Sequence, residues 1–165
     1  MRFILLFIFG NLFISCAQPP TQFDTTSLED TFVTLDAVDT PFDEILEKHK
    51  GKTIFIDIWA SWCKDCIIGM PKVNKLHKKY PDVQFVFLTV DHDVVKWKKG
   101  IQKFKIEYGD HYLIKRGWKG SPFCTFIDLD WIPRYMIIDT TGQITLFKAT
   151  KATDRNIIKS LDSLL

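Results

Sequence analysis

The chain has 165 residues, of which 46% are hydrophobic and 14% aromatic, which is enough for one packed core and too little for two full domains. Its 22 Lys and Arg side chains nearly balance 20 Asp and Glu side chains, so we expect no nucleic-acid binding driven by charge. Aromatic and β-branched residues recur from Phe32 to Phe147, which argues against extensive disorder.

The N-terminal segment is typical of an export signal. Arg2 is followed by an apolar run that is shorter than the roughly 20 residues needed to span a bilayer. The run ends in the letters FISC, which resemble a bacterial lipoprotein cleavage site, although Phe13 stands where Leu is usual. We therefore expect a signal peptide over residues 1–16, lipidation at Cys16 and a tether over residues 17–30. Such a protein would be anchored in the cell envelope facing the periplasm, or secreted if the cysteine is not acylated.

The next segments predict a strand, a helix and a buried strand. Residues 31–38 have the β-branched and aromatic content of a strand. Residues 40–51 favour a short helix with Thr40 as its N-cap. Residues 53–60 form a nearly continuous apolar run, as in a strand buried on both faces of a sheet. The single charge in this run is Asp57, and an unpaired carboxylate there is costly.

The middle of the chain continues this alternation. Apolar residues recur every three or four positions in residues 63–80, which predicts an amphipathic helix that Pro71 should kink. Residues 83–91 predict a second buried strand, and residues 93–105 a second amphipathic helix. Residues 106–131 are rich in turn formers, and apart from a short strand in the letters HYLI their structure stays open.

A hairpin and a helix complete the chain. Two strand-like runs flank a Thr-Thr-Gly turn at 140–142, and a helix with a Thr cap follows over residues 153–165. The whole order predicts an α/β fold with a central mixed sheet, helices on both faces and an N-terminal strand and helix extension. The domain is expected over residues 31–165.

The chemistry of the chain depends on two cysteines three positions apart. Because Cys16 and Cys124 are isolated in sequence, the four ligands of a structural zinc site are lacking, and we expect no metal. Between a buried strand and a helix, Cys63 would lie at the helix N-terminus, where free N–H groups and the helix dipole favour a thiolate. A thiolate attacks disulfides, and the second thiol, Cys66, can displace the bound partner. A permanent disulfide is the structural alternative.

The letters WASWC, followed by Cys66 and Pro71, together with Ile132-Pro133 before a hairpin, resemble the thioredoxin superfamily. The resemblance is closest to the exported, often membrane-tethered TlpA/ResA-like thiol-disulfide oxidoreductases. It implies a thioredoxin fold, no cofactor, and a cis-proline loop that faces the cysteine pair and contains Pro133. It also implies a disulfide-containing protein as substrate and a membrane-linked electron donor or acceptor. We expect a monomer.

The resemblance gives roles to further residues. Asp57 matches the buried acid of thioredoxin, and desolvation would raise its pKa so that it takes the proton from Cys66. A pair with a lysine such as Lys52 is the alternative. Arg134 stands where Thr is usual and would place a guanidinium beside the substrate groove, which suits acidic partners. The expected substrate-binding residues are Trp62, Ile132, Pro133 and Arg134.

The residues between the two cysteines affect the expected reduction potential. Asp65 disfavours the thiolate by like charge and Lys64 partly offsets it, which predicts a potential nearer to that of a reductant than of an oxidant. We expect Cys124 to be a small buried hydrophobe rather than a redox partner.

Three other functions are compatible with parts of the sequence. A thiol peroxidase would carry Pro and Thr where this chain has Ile56 and Ala60. A cysteine hydrolase would have no use for the second cysteine, and no histidine lies near the pair. The third alternative is a binding module in which the cysteines merely lock the fold.

Overall fold

A computed structural model of the protein describes residues 18–165. The predicted signal peptide and the lipidation site Cys16 lie outside the described residues. No helix within residues 18–165 is both long and apolar enough to cross a membrane.

The described residues form one seven-stranded mixed sheet. Its strands are β1 Thr31–Thr34, β2 Asp39–Pro41, β3 Ile54–Trp59, β4 Gln84–Thr89, β5 Asp110–Ile114, β6 Arg134–Ile138 and β7 Ile144–Ala149. Their order across the sheet is β2-β1-β5-β4-β3-β6-β7. Strands β3, β4 and β5 run parallel, whereas β6 and β7 are each antiparallel to their neighbours. The predicted α/β fold with a mixed sheet is confirmed.

Helices cover both faces of this sheet. Within residues 18–165 they are α1 Thr25–Leu28, α2 Phe42–Lys48, α3 Lys64–Lys79, α4 Val94–Phe104, α5 Gly117–Gly120, α6 Pro122–Phe126 and α7 Arg155–Leu164. On one face, His77 of α3 packs edge-on against Phe85 of β4, with ring centroids 5.3 Å apart. On the other face, Phe42 of α2 packs against Phe32 of β1 and Phe123 of α6, at 5.4 and 4.7 Å. The central strands β3 and β6 are therefore fully buried, and β4 is buried except at Gln84.

The folded unit begins earlier in the chain than predicted. The amide of Ile144 donates a hydrogen bond to the carbonyl oxygen of Thr21 at 2.8 Å, and Phe23 packs against Phe42 at 4.9 Å. Helix α1 follows directly. The predicted tether over residues 17–30 is therefore wrong from Thr21 onward, because Phe23 covers apolar surface of α2 and α6 that would otherwise face water.

The first predicted strand is in fact a hairpin. The chain turns at Ala37, which has a φ of 62°, and β2 then pairs antiparallel with β1. Thr40 pairs with Phe32 within this hairpin, so it is not the N-cap of α2. Pro41 takes that position instead. Cross-strand pairing thus overrides the local capping signal.

Candidate active site

Cys63 is the N-cap residue of α3, a helix of 16 residues. Its Sγ accepts a hydrogen bond from the backbone N–H of Cys66 at 3.1 Å. The two cysteines form a disulfide, with their Cα atoms 5.3 Å apart. Cys63 is 6% exposed and Cys66 is fully buried, so a partner can approach only the first sulfur. The helix N-terminus favours a negative charge on that sulfur in the reduced state.

Asp91 holds the turn that precedes Cys63. Its buried carboxylate accepts hydrogen bonds from the Ser61 backbone N–H and Ser61 Oγ, both at 2.8 Å, and from Thr89 Oγ1 at 2.7 Å. The end of β4 is thereby connected to the turn after β3. Sequence reasoning missed this role; the available signal is an acid at the carboxyl end of the predicted buried strand over residues 83–91.

The loop before β6 faces Cys63. The Ile132–Pro133 peptide bond is cis, as the family resemblance implies. The carbonyl oxygen of Ile132 lies 3.6 Å from Cys63 Sγ. Trp62, whose side chain is 59% exposed, and Ile132 line a cleft with Cys63, and Pro133 lines the neighbouring cavity of about 400 Å³. The structure brings these residues together, and their role in substrate binding stays a prediction.

Asp57 is fully buried in β3, and neither of its carboxylate oxygens has a hydrogen-bond partner within the described residues. Burial raises the pKa of this carboxyl well above its ordinary value of 3.8, because the charged form loses its hydration. The alternative in which Lys52 pairs with Asp57 is therefore wrong. Lys52 is exposed.

Asp57 lies on the face of the sheet that α3 covers. It pairs across β3 and β6 with Tyr135, so the two side chains share one face. The hydroxyl of Tyr135 points to Gly69 of α3, where an added Cβ would lie only 2.8 Å from it. Helix α3 also carries Cys66, which is buried. The buried acid and the buried thiol therefore lie between the same helix and the same sheet.

Arg134 is not where the sequence places it. Its side chain is fully buried and donates hydrogen bonds to the carbonyl oxygens of Ile127 and Asp128, at 2.6 and 3.0 Å, and to the carboxylate of Asp130 at 2.6 Å. The prediction of a guanidinium beside the substrate groove is wrong, because these internal acceptors bind it. The expectation of acidic partners rested on that guanidinium, so it is no longer supported.

Cys124 and a bound metal ion are the two other reactive centres that the sequence raises. Cys124 is buried in α6, and burial raises the pKa of its thiol to about 11. It is therefore uncharged at neutral pH, as suits a small hydrophobe. Within residues 18–165, no group of three or more His, Cys, Asp or Glu side chains is arranged to hold a metal ion.

Residues 51–144, more than half of the chain, match the thioredoxin-like family. The chain belongs to this family. A solved structure of a secreted disulfide oxidoreductase from Mycobacterium tuberculosis, described as homologous to DsbE of E. coli, superposes with a TM-score of 0.64. It is 18% identical and covers 86% of this chain and 100% of that one. The predicted thioredoxin fold is confirmed.

Curated relatives share the same region. The thiol-disulfide oxidoreductase ResA of Bacillus thuringiensis is 27% identical over 99 residues, which are 60% of this chain and 56% of ResA. The thioredoxin-like protein YneN of Bacillus subtilis is 29% identical over 121 residues, which are 71% of this chain and 68% of YneN. The chain thus matches little more than half the length of ResA, and the resemblance to ResA-like proteins is confirmed.

Proposed function

We propose that the protein is a thiol-disulfide oxidoreductase that reduces disulfide bonds of exported proteins through Cys63 and Cys66. The observation that carries this proposal is the position of the Cys63 sulfur, which caps α3 and faces the Ile132 carbonyl while Cys66 lies buried behind it. The similarity to ResA, which is named for this activity, supports it.

The reaction transfers two electrons from the cysteine pair to the substrate. The Cys63 thiolate attacks one sulfur of the substrate disulfide, which forms a mixed disulfide and releases the other substrate sulfur as a thiolate. Cys66 then attacks Cys63 Sγ, which closes the Cys63–Cys66 disulfide and releases the second substrate thiolate. The oxidised pair in the structure is the product of this step. An external dithiol, which we expect to be linked to the membrane, must reduce it again.

Asp57 supplies the base for the second step. Cys66 is buried away from water, and because only a thiolate can attack, its thiol needs a nearby proton acceptor. Asp57 lies beneath the same helix, and because burial raises its pKa, its carboxylate is a stronger proton acceptor than that of an exposed aspartate. Tyr135, the cross-strand neighbour of Asp57, reaches Gly69 of the same helix.

Reduction of insulin by the pre-reduced protein tests the proposal. We expect Cys63→Ser to abolish the activity and Cys124→Ser, which alters only the buried free cysteine, to leave it unchanged. Activity in Cys63→Ser equal to that of the wild type contradicts the proposal and favours a binding module. Consumption of hydrogen peroxide in the same preparation, faster than insulin reduction, would favour the peroxidase alternative instead.

The direction of electron flow depends on the reduction potential of the pair. Asp65 lies in the first turn of α3, close to the sulfur that must become negative. Its like charge disfavours the thiolate, so the proposal includes a potential nearer to that of reductants. Equilibration with glutathione measures it, and a value as oxidising as those of strong periplasmic oxidants, about −120 mV, would contradict this part.

Export and anchoring complete the proposal and are supported by the sequence alone. Lipidation at Cys16 would hold the domain at a membrane surface, since each buried methylene adds about 0.8 kcal/mol. In a bacterial host, Cys16→Ala should move the protein from the membrane fraction to the soluble fraction. Membrane association equal to that of the wild type would contradict anchoring through this residue.

A further inference from the structure

A cleft of about 310 Å³ opens beside Cys63, and three of its seven lining residues are tryptophans. Trp62 and Trp131 are 59% and 56% exposed, although tryptophan carries one of the largest apolar surfaces of any side chain. The charged residues of the cleft are one lysine and one aspartate, whose charges cancel. The lining consists of Trp62, Cys63, Lys64, Asp65, Trp118, Trp131 and Ile132.

The far wall of this tryptophan cleft is preformed. Trp118 Nε1 donates a hydrogen bond to the carbonyl oxygen of Leu129 at 2.6 Å, which fixes the orientation of the ring. Arg134 holds the same loop from inside through the carbonyl oxygens of Ile127 and Asp128. The loop from Ile127 to Trp131 is thus fixed on two sides. A preformed wall lowers the entropy that a ligand must lose on binding.

Packing in the core does not account for the positions of Trp62 and Trp131. The apolar core on both faces of the sheet is built from other side chains, and Trp62 and Trp131 are outside it. Exposed apolar surface grouped in one place marks interaction sites, and tryptophan is enriched among the residues that carry binding energy. The surface is therefore available for a partner.

The position of Cys63 determines what kind of partner can enter. The sulfur lies in the cleft itself, so a substrate cysteine that reaches it brings its neighbouring side chains against the tryptophans. The volume is at the low end for ligand pockets and suits one large side chain. Because the charges of the lining cancel, the cleft offers no net attraction to a small disulfide rich in carboxylates, such as glutathione disulfide.

We propose that the tryptophan cleft selects substrate polypeptides in which an apolar or aromatic side chain is adjacent to the cysteine that Cys63 attacks. This inference rests on the proposed function and adds a substrate class to it. It assigns specificity to Trp118 and Trp131, whereas the family resemblance implies only Trp62 and the residues of the cis-proline loop.

Two disulfide-bridged peptides that differ at one position test the inference. One carries phenylalanine next to each cysteine and the other carries glycine, and both are reduced by the protein with dithiothreitol as the electron source. We expect kcat/KM to be about tenfold higher for the phenylalanine peptide, the size of effect that one well-packed anchor side chain has in an interface. Equal kcat/KM values for the two peptides would overturn the inference.

Variants test whether the tryptophan cleft causes the preference for the phenylalanine peptide. Trp131→Ala should reduce the ratio between the peptides to about one, and Trp131→Phe should keep most of it, because a phenyl ring still offers an apolar wall. Val95→Ser, which changes a residue of α4 that is 61% exposed and does not line the cleft, is the matched control and should keep the full ratio. A full ratio in Trp131→Ala would overturn the inference.

The design separates this inference from the proposed function. Bis(2-hydroxyethyl) disulfide has no side chains next to its sulfurs, so its reduction by the wild type reports the thiol chemistry alone. If the wild type reduces this compound and the glycine peptide but shows no preference, the inference fails and the proposed function stands. If the wild type reduces no disulfide at all, the proposed function fails.

Discussion

Asp30 and Asp57 are both buried aspartates, and their surroundings are opposite. The carboxylate of Asp30 accepts hydrogen bonds from the Ser121 hydroxyl, from the Phe123 amide at 3.2 Å and from the Thr31 amide at 2.9 Å. Asp57 has no hydrogen-bond partner within the described residues, and its pKa is raised by burial. Burial alone therefore does not distinguish Asp30, which connects the N-terminal segment to α6, from Asp57 in the candidate active site.

The difference shows how to separate architecture from chemistry in this molecule. A buried carboxylate that is fully hydrogen-bonded stabilises the contact in which it lies, here the attachment of the N-terminal segment to α6. A buried carboxylate without partners costs stability in its ionised form and persists only where another property compensates, such as the ability to exchange a proton. We therefore expect Asp30 to stabilise the fold and Asp57 to act in the proton transfer proposed above.

Removal of Asp30 should have the largest effect on stability. Asp30→Ala leaves the Ser121 hydroxyl and the Phe123 amide without their acceptor, and we expect a loss of about 3 kcal/mol in the free energy of unfolding. Urea denaturation measures it. Asp36→Ala, which changes an exposed aspartate of the nearby turn, is the matched control and should have little effect. Insulin reduction per folded molecule should not change in either variant, and a specific loss of activity in Asp30→Ala would break the comparison.

Removal of the Asp57 charge should act in the opposite direction. The folded protein raises the pKa of Asp57, so its stability is highest when this group is protonated and falls as the pH rises above 3.8. Asp57→Asn cannot ionise, and we expect it to be more stable than the wild type by about 2 kcal/mol at neutral pH. The gain should vanish below pH 3.8. Urea denaturation across this pH range checks the sign, and a destabilised variant at neutral pH contradicts the account.

The same variant should be slower in the second chemical step. Without a base near Cys66, we expect closure of the Cys63–Cys66 disulfide to slow by about 100-fold near neutral pH, the usual contribution of a positioned base. A stopped-flow experiment that follows release of the second substrate thiol measures this rate. The first step, the attack by Cys63, should keep its rate, and an equal slowing of both steps would indicate general damage to the site.

Gly69 offers a smaller and more local test of the surroundings of Asp57. An alanine there places its Cβ 2.8 Å from the buried Tyr135 hydroxyl, and we expect Gly69→Ala to cost about 1 kcal/mol because overpacking exceeds the gain in helix propensity. In a Tyr135→Phe background the hydroxyl is gone, so the same substitution should stabilise the protein. Thermal unfolding of the wild type, the two single variants and the double variant measures this. If Gly69→Ala destabilises both backgrounds equally, contact with the Tyr135 hydroxyl is not the cause.

An exposed ion pair gives the smallest expected effect. Lys50 lies 2.8 Å from Glu47, with side chains 73% and 68% exposed. Because water and salt screen such a pair, Lys50→Met should not change the midpoint of thermal unfolding measurably. A clear loss of stability would mean that charge contacts at the surface matter as much as those of Asp30.

The sequence predicts the parts of the site that depend on local spacing. The interval between Cys63 and Cys66, the helix that follows and the apolar run around Asp57 are all short-range patterns, and each is found in the structure. The match of Pro133 to the family proline also depends on a short motif. These features need no knowledge of the distant chain.

The rest of the site depends on the path of the segment that the sequence leaves open. Arg134 bonds to backbone carbonyls of a loop whose position is set by α5 and α6, and no local pattern reports where those carbonyls lie. Helix α5 and the loop after α6 bring Trp118 and Trp131 to Cys63 although both are far from it in sequence. The prediction that Arg134 lies beside the substrate groove is wrong because the folded loop offers backbone carbonyl acceptors to its buried guanidinium.

Nuclear magnetic resonance of the Asp57 carboxyl carbon tests the central claim most directly. Protein labelled with carbon-13 at aspartate is titrated with the pair oxidised, and the signal is assigned by its loss in Asp57→Asn. The account predicts a titration midpoint well above 3.8, because this carboxyl is buried without a partner. A midpoint at or below 3.8 would show that Asp57 is solvated or paired, and would contradict its role as the proton acceptor for Cys66.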